Sequence, residues 1–172
     1  MNSGIIKFMD LVFISPSKGK LDLSGVVSEI VNFIGEDRKV YYTLVIGTDS
    51  QEKRLNGVSE VDFVTAVVIY RHGKGGRYFW TIQKKRKIYS LREKIYTETL
   101  YSLELAQSLV PLIKNSLHPL APYELEIHID VGEVGPTREM IKEVVGMVTG
   151  NGFTAKTKPE SYGASVVADK HT

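Results

Sequence analysis

Three runs rich in β-branched and aromatic residues lie close together in the first half of the chain, at residues 40–48, 61–70 and 78–83. Each run has the length of a strand, and the short connections between them favour an antiparallel meander. The middle run is apolar on both faces, which predicts a strand in the interior of the sheet. The segment RHGKGG before the third run is typical of a turn.

The second half of the chain alternates helical and strand patterns. Ser90 and Glu93 form an S-x-x-E capping box at the start of a long helix, and Pro111 is expected to kink or break that helix. The predicted elements are a helix at 91–117, a strand at 123–131, a helix at 137–150, a strand at 152–158 and a helix at 161–169. A meander followed by helical crossovers predicts an α/β fold with a mixed five-stranded sheet, in the order βββαβαβα and flanked by helices.

The first 38 residues are predicted to be an extension, with a helix at 23–34 capped by Asp22 or Ser24. Together with a core at 39–172 they are expected to form a single domain. No apolar run approaches the roughly 20 residues that span a bilayer. Lys7 and Asp10 interrupt the apolar patch near the N-terminus. We therefore expect a cytoplasmic protein without a membrane partner.

Two aspartates stand at the ends of predicted strands. Asp49, in IGTDSQ, follows the first strand, and Asp130 ends the fourth. Carboxyl ends of neighbouring strands meet where the topology of an α/β sheet switches, so these side chains are expected to lie close together. Two close carboxylates raise one another's pKa unless a cation lies between them. Because the chain has no cysteine, any metal must bind to oxygen atoms or to histidine. The pair therefore predicts a metal site.

Positive charge is concentrated between residues 71 and 94, which hold nine Lys or Arg and one acid, Glu93. Such a block is typical of a surface that binds phosphates. A solvated hairpin edge that resists pairing with other chains explains it equally well. The predicted nucleic-acid-binding residues are Arg71, Lys74, Arg77, Lys84, Lys85, Arg86 and Lys87.

Several separated motifs resemble the YkuK-type ribonuclease H-like family. In order, they are IGTDSQ, LREKIYTET, HIDVGEVGPTR, KEVVGMVTGNGF and KPESYGASVVADKHT, and the resemblance covers about residues 40 to 172. It implies a ribonuclease H-like fold with the N-terminal helix outside the core. Asp49 is followed by Ser50 and Gln51 rather than by the glycine usual in true ribonucleases H, which weakens any transfer of substrate preference.

The same resemblance implies a site in which four carboxylates hold two Mg²⁺ ions, or Mn²⁺ in their place. The four residues are Asp49, Glu98, Asp130 and Asp169. Glu93 competes with Glu98 for the helix position, but the capping box already explains Glu93 and favours Glu98. His171 is a candidate proton carrier or phosphate contact.

The implied function is a metal-dependent nuclease that hydrolyses phosphodiester bonds of RNA, DNA or a hybrid by a two-metal mechanism. The alternative is a nucleic-acid-binding module that keeps the fold without turnover. A sugar-kinase-like ATPase would need two repeated halves, and this chain has one. The segment GKGG at 73–76 lacks the spacing of a phosphate-binding loop.

Overall fold

Seven strands form one mixed sheet in the computed structural model, which describes residues 8–88, 90–116, 122–161 and 167. The strands are β1 (Phe13–Ser15), β2 (Gly19–Leu21), β3 (Tyr42–Leu55), β4 (Val58–Arg71), β5 (Gly76–Arg86), β6 (Tyr123–His128) and β7 (Thr154–Lys156). They lie in the order β2-β1-β5-β4-β3-β6-β7.

The predicted strand pairing is confirmed. Strands β3, β4 and β5 form the antiparallel meander, and the interior strand β4 is buried on both faces. Strand β6 then joins β3 in parallel, and β7 joins β6 in parallel. The parallel additions follow from the helical connections that precede them.

Three helices accompany the sheet, and they are α1 (Leu23–Glu36), α2 (Leu91–Ser116) and α3 (Ile141–Gly150), with short 3-10 turns at Phe8–Asp10 and Arg138–Met140. Asp22 caps α1, because its Oδ1 accepts a hydrogen bond of 2.7 Å from the N–H of Gly25. Helix α2 continues through Pro111 without a break. The predicted helix at 161–169 lies outside the described residues, apart from Ser161 and the helical Val167.

The prediction of five strands is wrong in number, because residues 13–21 contribute two more. They form the hairpin β1–β2, and Ile14 pairs with Trp80 at the edge of β5. Phe13 is fully buried in this position. The hairpin covers an edge that would otherwise expose unpaired backbone groups, and its three-residue strands are too short for a periodic pattern.

The helices pack on one face of the sheet. Their apolar residues form one core with Leu44 and Ile46 of β3 and with residues of β4 and β6. On the opposite face, Val167 packs against Val45, Ala66 and Val68. In the described part of the chain, no helix is long and apolar enough to cross a membrane.

Candidate active site

Asp49 lies inside a strand, not after one. Strand β3 was predicted to end at residue 48, but it continues to Leu55 and returns into β4 through a turn at Asn56 and Gly57. Both turn residues have positive φ, at 52° and 78°, as a two-residue hairpin turn requires. The Asn56-Gly57 pair is the sequence signal for this extension, which was not predicted.

Strand β6, the parallel neighbour of β3, ends before Asp49 is reached. Strands β3 and β6 pair from Tyr42 with Tyr123 up to Gly47 with His128. Asp49 and Asp130 each lie two residues beyond this last pair, and both act electrostatically on Glu98. The backbone beyond His128 is held by β7 instead, since the N–H of Ile129 donates to the carbonyl of Lys156 at 2.9 Å. A gap in the sheet therefore opens between the two aspartates.

Glu98 approaches the gap from the opposite face. It projects from α2, is only 3% exposed, and its Oε1 accepts a hydrogen bond of 2.6 Å from Ser50 Oγ. Its Oε2 is buried and accepts no hydrogen bond from the described residues. Ser50 follows Asp49 in β3, and successive side chains of a strand point to opposite faces. Asp49 therefore points to one face of the sheet, and Glu98, which is bound to Ser50, lies on the other face.

The pKa of Glu98 is raised to about 8. Burial is the main cause, because it disfavours the ionised carboxylate. The Ser50 hydrogen bond and the charge of Lys94 lower the pKa, whereas the negative charges of Asp49 and Asp130 raise it. The three acids therefore act electrostatically as one group.

Lys158 completes this group and was not predicted. Its Nζ lies 2.8 Å from Asp130 Oδ1, and this contact is the main cause of its raised pKa. Asp49 and Glu98 also act on it. Lys158 ends the predicted fifth strand, so the switch-point reasoning that selects Asp49 and Asp130 would also have selected Lys158.

The other predicted acids have different positions. Ser90 caps the start of α2, where its Oγ accepts a hydrogen bond of 3.1 Å from the N–H of Glu93, and the Glu93 side chain lies 3.5 Å from Lys85 Nζ. The helix acid brought to the cluster is therefore Glu98. Asp169 and His171 lie outside the described residues.

The donor atoms of the cluster are carboxylate oxygens, which suit a hard divalent cation. The orphaned Glu98 Oε2 is the atom that such a cation would satisfy. Within the described ranges, however, no three His, Asp or Glu side chains stand ready to ligate a metal ion. Asp130 binds Lys158. The donor atoms suit a cation in chemistry, with one oxygen of Asp130 already held by Lys158.

The basic block is divided between two ends of β5. Arg77 pairs with Ile69, which pairs with Leu44, so it lies five residues along the strands from Asp49, a distance of about 17 Å. Lys84 instead pairs with Asp62, which pairs with Gln51. Lys84 is therefore close to the level of Asp49 and on the same face, about 10 Å across the sheet.

The remaining basic residues follow the same division. Arg71 is mostly buried and donates to Glu36, to the carbonyl of Phe33 and to Tyr42 Oη. Lys74 pairs with Asp37 at 3.2 Å.

Lys85 and Lys87 lie at the end of β5 near the acids, and Lys87 is exposed. The side chain of Arg86 is outside the described residues. Among the predicted nucleic-acid-binding residues, those at 84–87 therefore lie nearer to the acid cluster than those at 71–77.

A cavity of about 410 Å³ lies on the face that carries Asp49. Its floor includes Val45 and His128, which precede Asp49 and Asp130 on the same strands. His128 Nε2 lies 2.9 Å from Glu126 Oε2, and its Nδ1 is buried without a partner among the described residues. No role was predicted for His128 from the sequence.

Comparison with known proteins identifies the fold family. The ribonuclease H-like family model matches residues 25–172, so the match begins within α1 rather than after it. The uncharacterized protein YkuK of Bacillus subtilis (strain 168) is 35% identical over 173 residues, which covers 94% of this chain and 96% of that protein. No solved structure matches the chain. The gap between β3 and β6, with its acids, therefore lies in a chain that belongs to the ribonuclease H-like family of the YkuK type.

Proposed function

We propose that the chain is a metal-dependent nuclease that hydrolyses phosphodiester bonds of RNA, DNA or a hybrid. The observation that carries the proposal is the buried Glu98 carboxyl, whose Oε2 has no partner among the described residues and whose pKa is raised further by Asp49 and Asp130. A buried acid beside two others is costly unless the group binds a cation. Perturbed carboxyl groups of this kind cluster at functional sites.

The residues that would hold Mg²⁺ or Mn²⁺ are Asp49, Glu98 and Asp130, with Asp169 as the fourth predicted ligand. The family resemblance implies two ions. Held by these carboxylates, such ions would supply an activated water molecule and a positive charge beside the leaving oxygen of the phosphodiester. Such chemistry requires no nucleophilic side chain from the protein.

The other residues of the site orient and neutralise these acids. Ser50 holds one oxygen of Glu98 and so fixes where the second oxygen points. Lys158 holds Asp130 and reduces the repulsion between the acids. Ser50 belongs to β3, and Lys158 lies in the turn two residues after β7, where its N–H donates to the carbonyl of Val131.

The substrate would lie along the sheet face that carries Asp49. Lys84 lies on this face, and Lys87 is exposed just beyond the end of β5. Their charges suit the phosphate backbone of a nucleic acid.

Cleavage of a labelled panel tests the proposal. Single- and double-stranded RNA and DNA, and the RNA–DNA hybrid, are incubated with the full chain in Mg²⁺, Mn²⁺ or EDTA. We expect cleavage of at least one substrate with either metal and none with EDTA. Cleavage in EDTA, or no cleavage of any substrate, would contradict a metal-dependent nuclease.

A non-catalytic nucleic-acid-binding module is the second candidate. The observation in its favour is the ion pair of Asp130 with Lys158, together with the lack of a metal-ligating group within the described residues. Salt-sensitive binding of nucleic acid without cleavage in either metal would support it.

A further inference from the structure

Lys158 brings a permanent positive charge into the cluster of predicted metal ligands. Its Nζ lies 2.8 Å from Asp130 Oδ1, and Asp49 and Glu98 also act on it electrostatically. We propose that the Lys158 ammonium takes the place of one of the two divalent cations, so that the cluster binds a single metal ion. This inference rests on the proposed metal site and fixes its stoichiometry.

The backbone holds the base of the Lys158 side chain beside Asp130. The N–H of Lys158 donates to the carbonyl of Val131 at 2.8 Å. Gly132 permits this approach, because a Cβ atom at that position would lie only 3.1 Å from Lys158 Cβ. The ion pair therefore depends on the fold of two neighbouring segments rather than on a chance contact of a long side chain.

The position of the ammonium disfavours a second metal ion. Like charges a few ångströms apart repel, so a divalent cation bound to Asp130 would lie unfavourably beside the Lys158 ammonium. Because Asp130 Oδ1 is already bound to Lys158, a second cation would also lack one of its ligands.

Lys156 provides a matched comparison two residues earlier on the same chain segment. Its Nζ lies 3.8 Å from Glu160 Oε2, and the Glu160 side chain is 70% exposed. An ion pair of this kind is weak and lies apart from the acid cluster. Removing the charge of Lys156 should therefore leave the metal stoichiometry unchanged.

The experiment is a titration of the full chain with Mn²⁺, followed by the electron paramagnetic resonance signal of the free ion. We expect one bound Mn²⁺ per chain in the wild type, in Lys156→Met and in the charge-conserving Lys158→Arg. Lys158→Met keeps the unbranched stem beside Gly132 but removes the charge, and it should bind two. Asp49→Asn should lose the wild-type ion, which assigns that ion to the cluster.

Two results would overturn the inference while the metal site stands: two Mn²⁺ ions in the wild type, or a single ion of unchanged affinity in Lys158→Met. If neither the wild type nor Lys158→Met binds Mn²⁺, both this inference and the proposed metal-dependent function are wrong. Circular dichroism checks the fold of each variant, and Lys158→Gln replaces Lys158→Met if the latter does not fold.

Discussion

Asp49 and Asp130 each lie two residues beyond the last pair that the parallel strands β3 and β6 form, Gly47 with His128. Both carboxylates act electrostatically on Glu98 and on Lys158. The acids therefore meet where the two strands no longer pair. The site is therefore a consequence of strand pairing that stops early.

The first prediction concerns the pH dependence of stability. The folded-state pKa of Glu98 is about 8, against 4.5 for an ordinary glutamate. Between these values the folded chain retains a proton that the unfolded chain has released. The contribution of Glu98 to the free energy of unfolding is therefore complete below pH 4.5 and is lost as the pH rises to 8, by an amount on the order of 5 kcal/mol.

Glu98→Gln replaces the titrating carboxyl group with a neutral amide, so the free energy of unfolding should depend less on pH. The measurement is urea unfolding in EDTA at pH 5 and pH 8.5, with Glu93→Gln as the control because that side chain is partly exposed. The wild type should lose more stability between pH 5 and pH 8.5 than Glu98→Gln loses. Parallel loss in wild type and Glu98→Gln would show that Glu98 ionises normally.

The second prediction concerns Ser50, which donates to Glu98 Oε1 at 2.6 Å. This hydrogen bond lowers the pKa of Glu98, so Ser50→Ala should raise it further. Loss of the bond should also destabilise the fold by about 1–3 kcal/mol, because it leaves a buried acceptor without a partner.

A carboxyl ¹³C NMR titration measures the pKa, with Glu98→Gln assigning the signal. Ser59→Ala is the matched control, since Ser59 donates to the exposed carboxylate of Glu52. If the Glu98 titration curve does not move in Ser50→Ala, the hydrogen bond from Ser50 does not lower the pKa of Glu98.

The third prediction separates the two ends of the basic block. The double substitution Lys84→Gln with Lys87→Gln should weaken nucleic-acid binding and reduce the slope of log K against log salt by about 1 to 2. The matched double substitution Lys74→Gln with Arg77→Gln removes the same charge at the far end and should leave the slope unchanged. Fluorescence anisotropy in EDTA measures both without cleavage. Equal losses in the two variants would mean that net charge alone attracts the nucleic acid.

Much of the sheet could be predicted because its signals are local. The apolar runs identified β3, β4 and β5, and the helical crossovers required β6 and β7 to add in parallel. The predicted pairing of β3 with β6 also predicted that Asp49 lies near Asp130. The capping box at Ser90 favoured Glu98 over its competitor Glu93, and Glu98 is the acid that the structure brings to the cluster.

The features that could not be predicted depend on contacts between distant segments. The position of Lys158 after a strand could place it at this edge of the sheet, but its pairing with Asp130 could not be predicted, because that contact depends on two distant segments. The count of basic residues likewise did not reveal that Arg71 is used internally against Glu36 and Phe33. The hairpin β1–β2 is stabilised by the edge of β5 rather than by its own pattern.

The central claim is that Asp49 serves catalysis with a bound metal. The most direct test compares wild type, Asp49→Asn and Glu52→Gln, an exposed acid of the same strand, on the substrate cleaved in Mg²⁺. Metal-assisted stabilisation of the reaction is worth several kcal/mol, so Asp49→Asn should lower the cleavage rate by at least about a thousandfold. Glu52→Gln should cleave at the wild-type rate. An Asp49→Asn protein that retains its fold and cleaves at the wild-type rate would contradict the account.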